Sequence, residues 1–256
     1  MDLGLKGRVA LVTGSSRGIG RSIALALGEE GCKLVLCARG DEALRKTAGE
    51  IREKGAEVVA VAADVTTKEG AEKTVRQAME SFQGIHVLVN NVGGSQWKSF
   101  VEHTDEDWQE VIDMNLFASI RMTRLVVPLM EKQGSGSIIL ISSIWGRELG
   151  GPSSYNATKA AAIGLSKNLA RELAPKGIRV NTVAPGSILF PGGGWDRRQK
   201  ADPGRMAAFI EQEMPLGRFG KPEEVADMVV FLASERASLV TGACINVDGC
   251  QSRSLI

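Results

Sequence analysis

The sequence predicts an α/β protein, and two features of its pattern carry that prediction. Short β-branched runs alternate with longer amphipathic segments from one end of the chain to the other. The runs are apolar on both faces, which is typical of parallel strands covered by helices above and below. Seven such runs with helical crossovers predict a three-layer, doubly wound, Rossmann-like fold: one seven-stranded parallel sheet with helices on both faces.

The predicted elements follow one another regularly. In chain order, the strands are RVALVTG, KLVLCAR, EVVAVAADV, HVLVNNV, SIILISS, IRVNTVAP and CINVDG. The amphipathic stretches between them, such as RSIALALGEEG and EALRKTAGEIREKG, stop at or near a glycine, which commonly ends a helix. We expect residues 1–256 to form a single domain, because a chain of this length can bury one large core.

The segment 186–220 interrupts this alternation. It follows a predicted strand, is rich in Gly, Pro and Arg, and contains one predicted helix around PGRMAAFIEQEM. A long insertion after a strand's carboxyl end lies where open α/β sheets bind ligands, so we predict a substrate lid. The alternative is a disordered surface excursion. Phe190, Trp195, Met206 and Phe209 favour the lid, because apolar side chains need something to cover.

Composition narrows the classes of function. Lys plus Arg number 31 against 30 for Asp plus Glu, which gives no electrostatic case for nucleic acid or an anionic membrane as partner. No run reaches the ~18–20 apolar residues of a membrane span, and the first residues do not resemble a signal peptide. The four cysteines form no C-x-x-C pair, so we predict no metal site. Thiols in apolar stretches suit a reducing cytoplasm, where we expect this protein.

A glycine-rich turn joins the first strand to the first helix, in TGSSRGIGRSIALAL. Gly14 allows a sharp turn, while Gly18 and Gly20 allow backbone to approach a bound pyrophosphate. The helix start favours phosphate through its free N–H groups and positive end. Ser16, Arg17 and Ile19 share this loop and are predicted cofactor contacts. The alternative is a tight turn that needs glycine for backbone reasons alone.

The pattern T-G-x-x-x-G-x-G at positions 13–20 resembles that of the short-chain dehydrogenase/reductase family, in its single-domain branch. The resemblance continues in order through AADV, NNVG, MNL, ISS, YNATK, VAPG and VTGACINVDGC, and so spans the whole chain. It implies an NAD(P)-dependent oxidoreductase that interconverts a ketone and a secondary alcohol. It also implies a homotetramer or homodimer.

The resemblance implies a cofactor site whose members follow strand ends. Asp64 would accept a hydrogen bond from the adenine amino group, with Val65 packing beside the ring. The other contacts it implies, along the ribose and the nicotinamide, are Asn91, Gly93, Tyr155, Lys159, Pro185, Gly186 and Ile188.

The end of the second strand bears on the choice of dinucleotide. Enzymes that prefer NAD hold the adenosine ribose with an acidic residue there. This chain has Ala38 and then Arg39, whose planar fork suits a 2′-phosphate. Arg17 would add a second positive charge at the same phosphate, whereas Asp41 nearby weighs against this. We therefore predict a preference for NADP(H), with NAD(H) as the alternative.

Tyr155, the only tyrosine of the chain, precedes Lys159 by four residues. On a helix this spacing puts both side chains on one face. A lysine ammonium and an oxidised nicotinamide ring beside a phenol would lower its pKa from its ordinary value of about 10. Most such pairs on helices are structural, but the family carries its catalytic tyrosine and lysine at this place.

Two further catalytic residues follow from the resemblance. The family serine lies thirteen residues before the tyrosine, which gives Ser142, but it is also the last of the strand-end pair, which gives Ser143. We choose Ser143, because a loop absorbs a one-residue deletion while a strand would reverse its side chains. Asn115 matches the family asparagine that holds a water between the lysine and solvent.

The substrate is the least determined part of the prediction. Trp97, Trp145, Phe190 and Trp195 follow strand ends and are candidate pocket residues, with lid or interface packing as the alternative. An aromatic pocket suits a medium-sized, fairly apolar ketone or secondary alcohol. A 3-oxoacyl-[acyl-carrier-protein] reductase is an alternative, weakened because only Lys132 stands before the fifth strand to receive an acidic carrier. A non-catalytic dinucleotide-binding sensor is the alternative from another class.

Overall fold

The computed structural model describes residues 2–255, and within them seven strands form one sheet. The strands are Val9–Thr13 (β1), Lys33–Ala38 (β2), Val58–Ala62 (β3), Val87–Asn90 (β4), Gly136–Ile141 (β5), Ile178–Pro185 (β6) and Cys244–Val247 (β7). Their order is β3-β2-β1-β4-β5-β6-β7, and every neighbouring pair is parallel. Six fall within the predicted runs and β5 begins one residue earlier, at Gly136, so the predicted sheet is confirmed.

Nine α-helices lie in the same described part of the chain. They are Gly18–Glu29 (α1), Asp41–Glu53 (α2), Lys68–Phe82 (α3), Asp105–Ile112 (α4), Ala118–Gln133 (α5), Ser153–Leu173 (α6), Gly194–Ala201 (α7), Pro203–Glu213 (α8) and Pro222–Ala233 (α9). Helices α1, α2 and α9 pack on one face of the sheet, while α3, α5 and α6 pack on the other. Among residues 2–255 no helix is both long and apolar enough to span a membrane.

Burial on both faces explains why the strands are continuous apolar runs. All five residues of β1 are buried. Ala10 and Val12 join the core cluster under α1 and α9, whereas Val9 and Leu11 join the cluster under α3 and α5. Because successive side chains point to opposite faces, a strand between two helical layers needs apolar residues at every position.

The segment 186–220 folds into two helices, where the sequence predicted one. Helix α8 coincides with the predicted helix, but α7 was missed. The sequence of α7, GWDRRQKA, lacks an apolar period, and local polar contacts support it. Asp196 accepts hydrogen bonds from Lys200 Nζ at 2.8 Å, one turn later, and from the Gly192 N–H at 2.9 Å.

A small apolar cluster holds the two helices together. Met206, Met214 and Phe219 are buried in it, and Trp195 of α7 stacks on Phe209 of α8 at 4.8 Å between ring centroids. The segment therefore has a core of its own beside the carboxyl end of β6. It is ordered, in contrast to the alternative of a disordered surface excursion.

Candidate active site

The strand order reverses between β1 and β4, and a cleft of about 510 Å³ opens at the carboxyl ends of these strands. At such a reversal the connections leave the sheet in opposite directions, which creates the crevice in which open α/β sheets bind ligands. Loops that follow β1 to β6 line the cleft, and so does α7. The strand-end residues that the sequence singled out are thereby brought to one place.

Glycine residues fix the turn after β1. Gly14 has φ +66°, in the left-handed region that favours glycine. A Cβ on Gly20 would lie 2.3 Å from the Gly14 carbonyl oxygen, so only glycine fits there. Asn91 Nδ2 donates to the carbonyls of Thr13 at 3.0 Å and Gly14 at 3.2 Å, which ties this turn to the end of β4. Helix α1 then begins without a side-chain cap, so its first N–H groups suit a phosphate ligand.

Most of the predicted cofactor residues line the cleft. They are Gly14, Ser16, Arg17, Ile19, Gly20, Arg39, Asp64, Val65, Asn91, Gly93, Tyr155, Lys159, Pro185, Gly186 and Ile188. Gly18 is the exception, because the Phe190 ring covers it: a Cβ on Gly18 would lie 2.7 Å from that ring. Gly18 therefore contacts the 186–220 segment and is not part of the cleft wall.

The two arginines predicted to bind a 2′-phosphate, Arg17 and Arg39, have different surroundings. Arg39 is exposed and lines the cleft. Arg17 Nη1 instead donates to the Gly192 carbonyl at 3.3 Å, toward the 186–220 segment. Asp41 pairs with Arg45 one turn later at 2.7 Å, so its charge is compensated within α2.

The opposite end of the cleft is closed around Gly186. A Cβ there would lie 2.7 Å from Gln251 Oε1 and 2.8 Å from Asp248 Cβ, so a larger residue would collide with the chain beyond β7. Gln251 is buried and accepts from the Ser187 N–H at 2.7 Å. These contacts hold the backbone after β6 close to the cleft, where the nicotinamide ring is expected.

Tyr155 and Lys159 lie on one face of α6, as their spacing predicted. Lys159 Nζ is 5.6 Å from the Tyr155 ring centroid and donates to the Ile141 carbonyl at 2.8 Å. Lys159 is only 4% exposed, and burial lowers its pKa from 10.5 to about 8. A protonated lysine at neutral pH therefore puts a buried positive charge beside the phenol.

In the protein chain alone, burial has the largest effect on the pKa of Tyr155. Burial raises the pKa of the phenol above its ordinary value, and a hydrogen bond with the Ser143 hydroxyl offsets only part of this rise. Desolvation disfavours the phenolate more than these neighbours stabilise it. Within the protein chain itself the phenol is thus held protonated at neutral pH, the form that can donate a proton.

The two serines at the end of β5 have different partners. Ser142 Oγ donates to the main-chain carbonyl of Lys159 at 2.8 Å, a buried contact that ties β5 to α6. Ser143 Oγ accepts from the Trp145 N–H at 3.1 Å, and its hydroxyl is the neighbour that lowers the pKa of the Tyr155 phenol. Ser143 is therefore the serine that faces the phenol.

Asn115 lies next to the cleft wall and not in it. It is buried in a π-helical turn, Asp113–Phe117, between α4 and α5. Its side-chain amide pairs with the backbone of Gly94, with both hydrogen bonds at 2.9 Å. A Cβ on Gly93 would lie 2.9 Å from Asn115 Oδ1 and 3.0 Å from Lys159 Nζ, so both polar atoms border the same space.

The four predicted substrate residues all line the cleft. Trp97 meets Trp145 edge-on at 6.0 Å between ring centroids, and Trp145 meets Tyr155 edge-on at 6.3 Å. Phe190 and Trp195 also pack outside the cleft, Phe190 against the core under α1 and Trp195 against α8. An aromatic wall therefore runs outward from the phenol.

Sequence reasoning missed Arg198, which also lines the cleft. Its guanidinium carbon lies 3.8 Å from the Trp97 ring centroid and 4.8 Å from that of Trp195. The three-residue spacing of Trp195 and Arg198 was the available signal, since it places both on one face of a helix. Because no helix was predicted at α7, that spacing did not indicate that Trp195 and Arg198 share a face.

An open parallel sheet with a glycine-rich first turn and a cleft at its switch point is typical of dinucleotide-binding α/β proteins. Comparison with known proteins narrows the class. A family model described as enoyl-(acyl carrier protein) reductase matches residues 14–250. The 3-oxoacyl-[acyl-carrier-protein] reductase of Synechocystis sp. is 41% identical over 249 residues, which cover 96% of this chain and 97% of that protein.

Two further proteins are similar to this chain along nearly its whole length. Dehydrogenase/reductase SDR family member 4 of Mus musculus is 37% identical over 249 residues, covering 96% of this chain and 87% of that protein. The crystal structure of L-sorbose reductase from Gluconobacter frateurii, complexed with NADPH and L-sorbose, matches with a TM-score of 0.95 and 38% identity over 100% of both chains. The chain belongs to the short-chain dehydrogenase/reductase family, oxidoreductases that act on CH–OH and carbonyl groups.

Burial of Lys159 makes stability depend on pH. Because burial lowers the pKa of Lys159 from 10.5 to about 8, the unfolded chain binds more protons between these values, and the free energy of unfolding rises with pH there. The neutral lysine contributes fully above the upper value, and this contribution is lost as pH falls through the lower one. From about pH 7 to about pH 10, we expect wild type to gain on the order of 3 kcal/mol relative to Lys159→Met in urea denaturation.

Lys46→Met, at an exposed lysine of α2, is the control and should show no such gain. A stability difference between wild type and Lys159→Met that does not change with pH would contradict the lowered pKa of Lys159.

Proposed function

We propose that this protein is an NADP(H)-dependent oxidoreductase that interconverts a ketone and a secondary alcohol, with Tyr155 as general acid and base. One observation carries the proposal. The only phenol of the chain lines the cleft beside Ser143, with the buried ammonium of Lys159 on the same helical face. No other tyrosine of this sequence can take the role.

The cleft offers a contact for each part of a dinucleotide. The glycine turn and the start of α1 would hold the pyrophosphate, Asp64 and Val65 the adenine, and the backbone around Gly186 the nicotinamide. When bound, the nicotinamide supplies or accepts the hydride and in its oxidised form adds a positive charge beside the phenol.

The protein's own residues donate and accept the proton and return it to solvent. In reduction, Tyr155, which is protonated at neutral pH, donates its proton to the carbonyl oxygen. Ser143 holds the same oxygen by hydrogen bonding, and the Lys159 ammonium stabilises the phenolate that remains. In oxidation the phenolate takes the proton of the alcohol. The space bordered by Asn115 and Lys159 would hold the water that returns the proton to solvent.

The cofactor preference depends on Arg39 at the rim of the adenosine end. No acidic residue stands at the end of β2 to bind the ribose hydroxyls, and the guanidinium fork suits a 2′-phosphate. The L-sorbose reductase structure, complexed with NADPH, supports this choice by similarity. Arg17 is bonded toward Gly192, so the proposal assigns the phosphate to Arg39 alone.

The aromatic wall and the 186–220 segment shape the substrate side. We propose that α7 and α8 cover a medium-sized carbonyl substrate that lies along Trp145 and Trp97. A 3-oxoacyl-[acyl-carrier-protein] substrate is the second candidate, favoured by the name of the relative from Synechocystis sp.. The complete set of Asn115, Ser143, Tyr155 and Lys159 argues against a non-catalytic sensor.

Cofactor oxidation across a panel of aliphatic, aryl and acyl-thioester ketones tests the function. We expect NADPH-dependent turnover of several medium-sized ketones, because the cleft presents aromatic rings beside the proton donor. Turnover of acyl thioesters alone would favour the carrier-protein reductase. Binding of NADPH without turnover of any ketone would contradict the proposal and favour the sensor.

The two serines give a matched pair of variants. Ser143→Ala should lower kcat about hundredfold, because it removes a donor at the oxygen where charge develops. Ser142→Ala should keep kcat within a few-fold and lower the free energy of unfolding by about 1 kcal/mol, since the Lys159 carbonyl loses a buried donor. The reverse pattern of kcat values would assign the role to Ser142.

The cofactor preference is tested at Arg39. Wild type should have the higher kcat/KM with NADPH, and Arg39→Asp should reduce the NADPH-to-NADH ratio about tenfold to hundredfold, because a charged hydrogen bond to the 2′-phosphate is lost. Arg76→Asp, an exposed position on α3, should leave the ratio unchanged. A wild-type preference for NADH would refute the assignment.

A further inference from the structure

We propose that Arg198 is a specificity-determining residue that binds a carboxylate of the substrate, so that the substrates of this enzyme are keto acids and the corresponding hydroxy acids. This inference rests on the proposed function, since it names the substrate class of the same cleft. It comes from how the guanidinium of Arg198 is held and from which charges surround it.

Aromatic rings fix the guanidinium of Arg198 at the mouth of the cleft. Trp97, after β4, lies 3.8 Å from its central carbon, and Trp195, one turn earlier on α7, lies 4.8 Å away. Contact with ring faces orients the flat guanidinium, while its five N–H donors project in its own plane. The arginine is therefore pre-organised for the bidentate hydrogen bonds that a carboxylate accepts.

The charges around Arg198 favour an anion. Within residues 2–255 it makes no ion pair with a carboxylate. The nearest acidic residue along the helix, Asp196, is engaged by Lys200 and the Gly192 N–H. Burial lowers the pKa of Arg198, and the charges of Arg205 and Arg197 lower it further. A half-buried guanidinium among like charges gains more from an anionic ligand than an exposed one would.

The position of Arg198 fits the reaction. The aromatic wall runs from Tyr155 through Trp145 to Trp97, and Arg198 lies on Trp97 at the outer end of that wall. A ketone whose carbonyl oxygen meets the phenol would extend its apolar chain along the indoles and reach the guanidinium with its other end. The cleft thus has a polar contact at each end of an apolar path.

A purely structural role predicts something different. If Arg198 served only to hold α7 against Trp97, its loss would loosen the cleft for every substrate alike. If it bound the cofactor, its loss would weaken NADPH. Matched substrates that differ only in charge separate these roles from the proposed one.

The test compares levulinate and its longer keto-acid homologues with their methyl esters. For the homologue of the right length, we expect wild type to favour the acid in kcat/KM by about tenfold to hundredfold, the value of a charge-assisted hydrogen bond. Arg198→Met should abolish this preference by lowering kcat/KM for the acid alone. Arg198→Lys should retain part of it. Arg76→Met, at an exposed position of α3 outside the cleft, should leave it unchanged.

Three results would overturn the proposal. They are no acid preference in wild type for any homologue, an equal loss for acid and ester in Arg198→Met, or weaker NADPH binding in that variant with the acid preference intact. If no ketone is turned over, the proposed function fails instead. Keto-acid binding to the NADP-bound protein, read from the fluorescence of the tryptophans that contact Arg198, then still decides the role of this arginine.

Discussion

Parallel pairing across the whole sheet is the constraint from which the site follows. Because all strands run in one direction, every strand of the sheet ends at the same edge, and the reversal of strand order between β1 and β4 opens a crevice there. The glycine turn, the serine pair of β5 and the backbone around Gly186 reach that crevice only through this geometry. A change of register in a single strand would turn its core residues to the wrong face and move its loop.

The buried Lys159 connects this architecture to the proposed chemistry. Its ammonium donates to the Ile141 carbonyl at the end of β5, and its own carbonyl accepts from Ser142. One residue therefore fixes α6 against the strand that carries Ser143, and so sets the distance between the serine and Tyr155. Removing a charge from water is costly, and the contact with a carbonyl dipole offsets part of that cost.

The strands and most of the cleft wall were predictable because they depend on patterns that the sequence displays directly. Apolar runs buried on both faces and glycines at close backbone approaches leave little choice of residue. The features that the sequence did not predict have a different cause. Helix α7 lacks apolar periodicity, and Arg17 donates a hydrogen bond to a carbonyl in a distant segment. These features arise from tertiary contacts, which spacing along the chain does not contain.

The central claim is that the phenol of Tyr155 transfers the proton, and Tyr155→Phe tests it most directly because the variant removes one oxygen from the only tyrosine. NADPH affinity and single-turnover reduction of a ketone substrate should be measured together. The account predicts unchanged affinity and a rate lower by about 10²–10⁴, the usual contribution of general acid–base catalysis. A near-normal rate in a variant that still binds NADPH would contradict it.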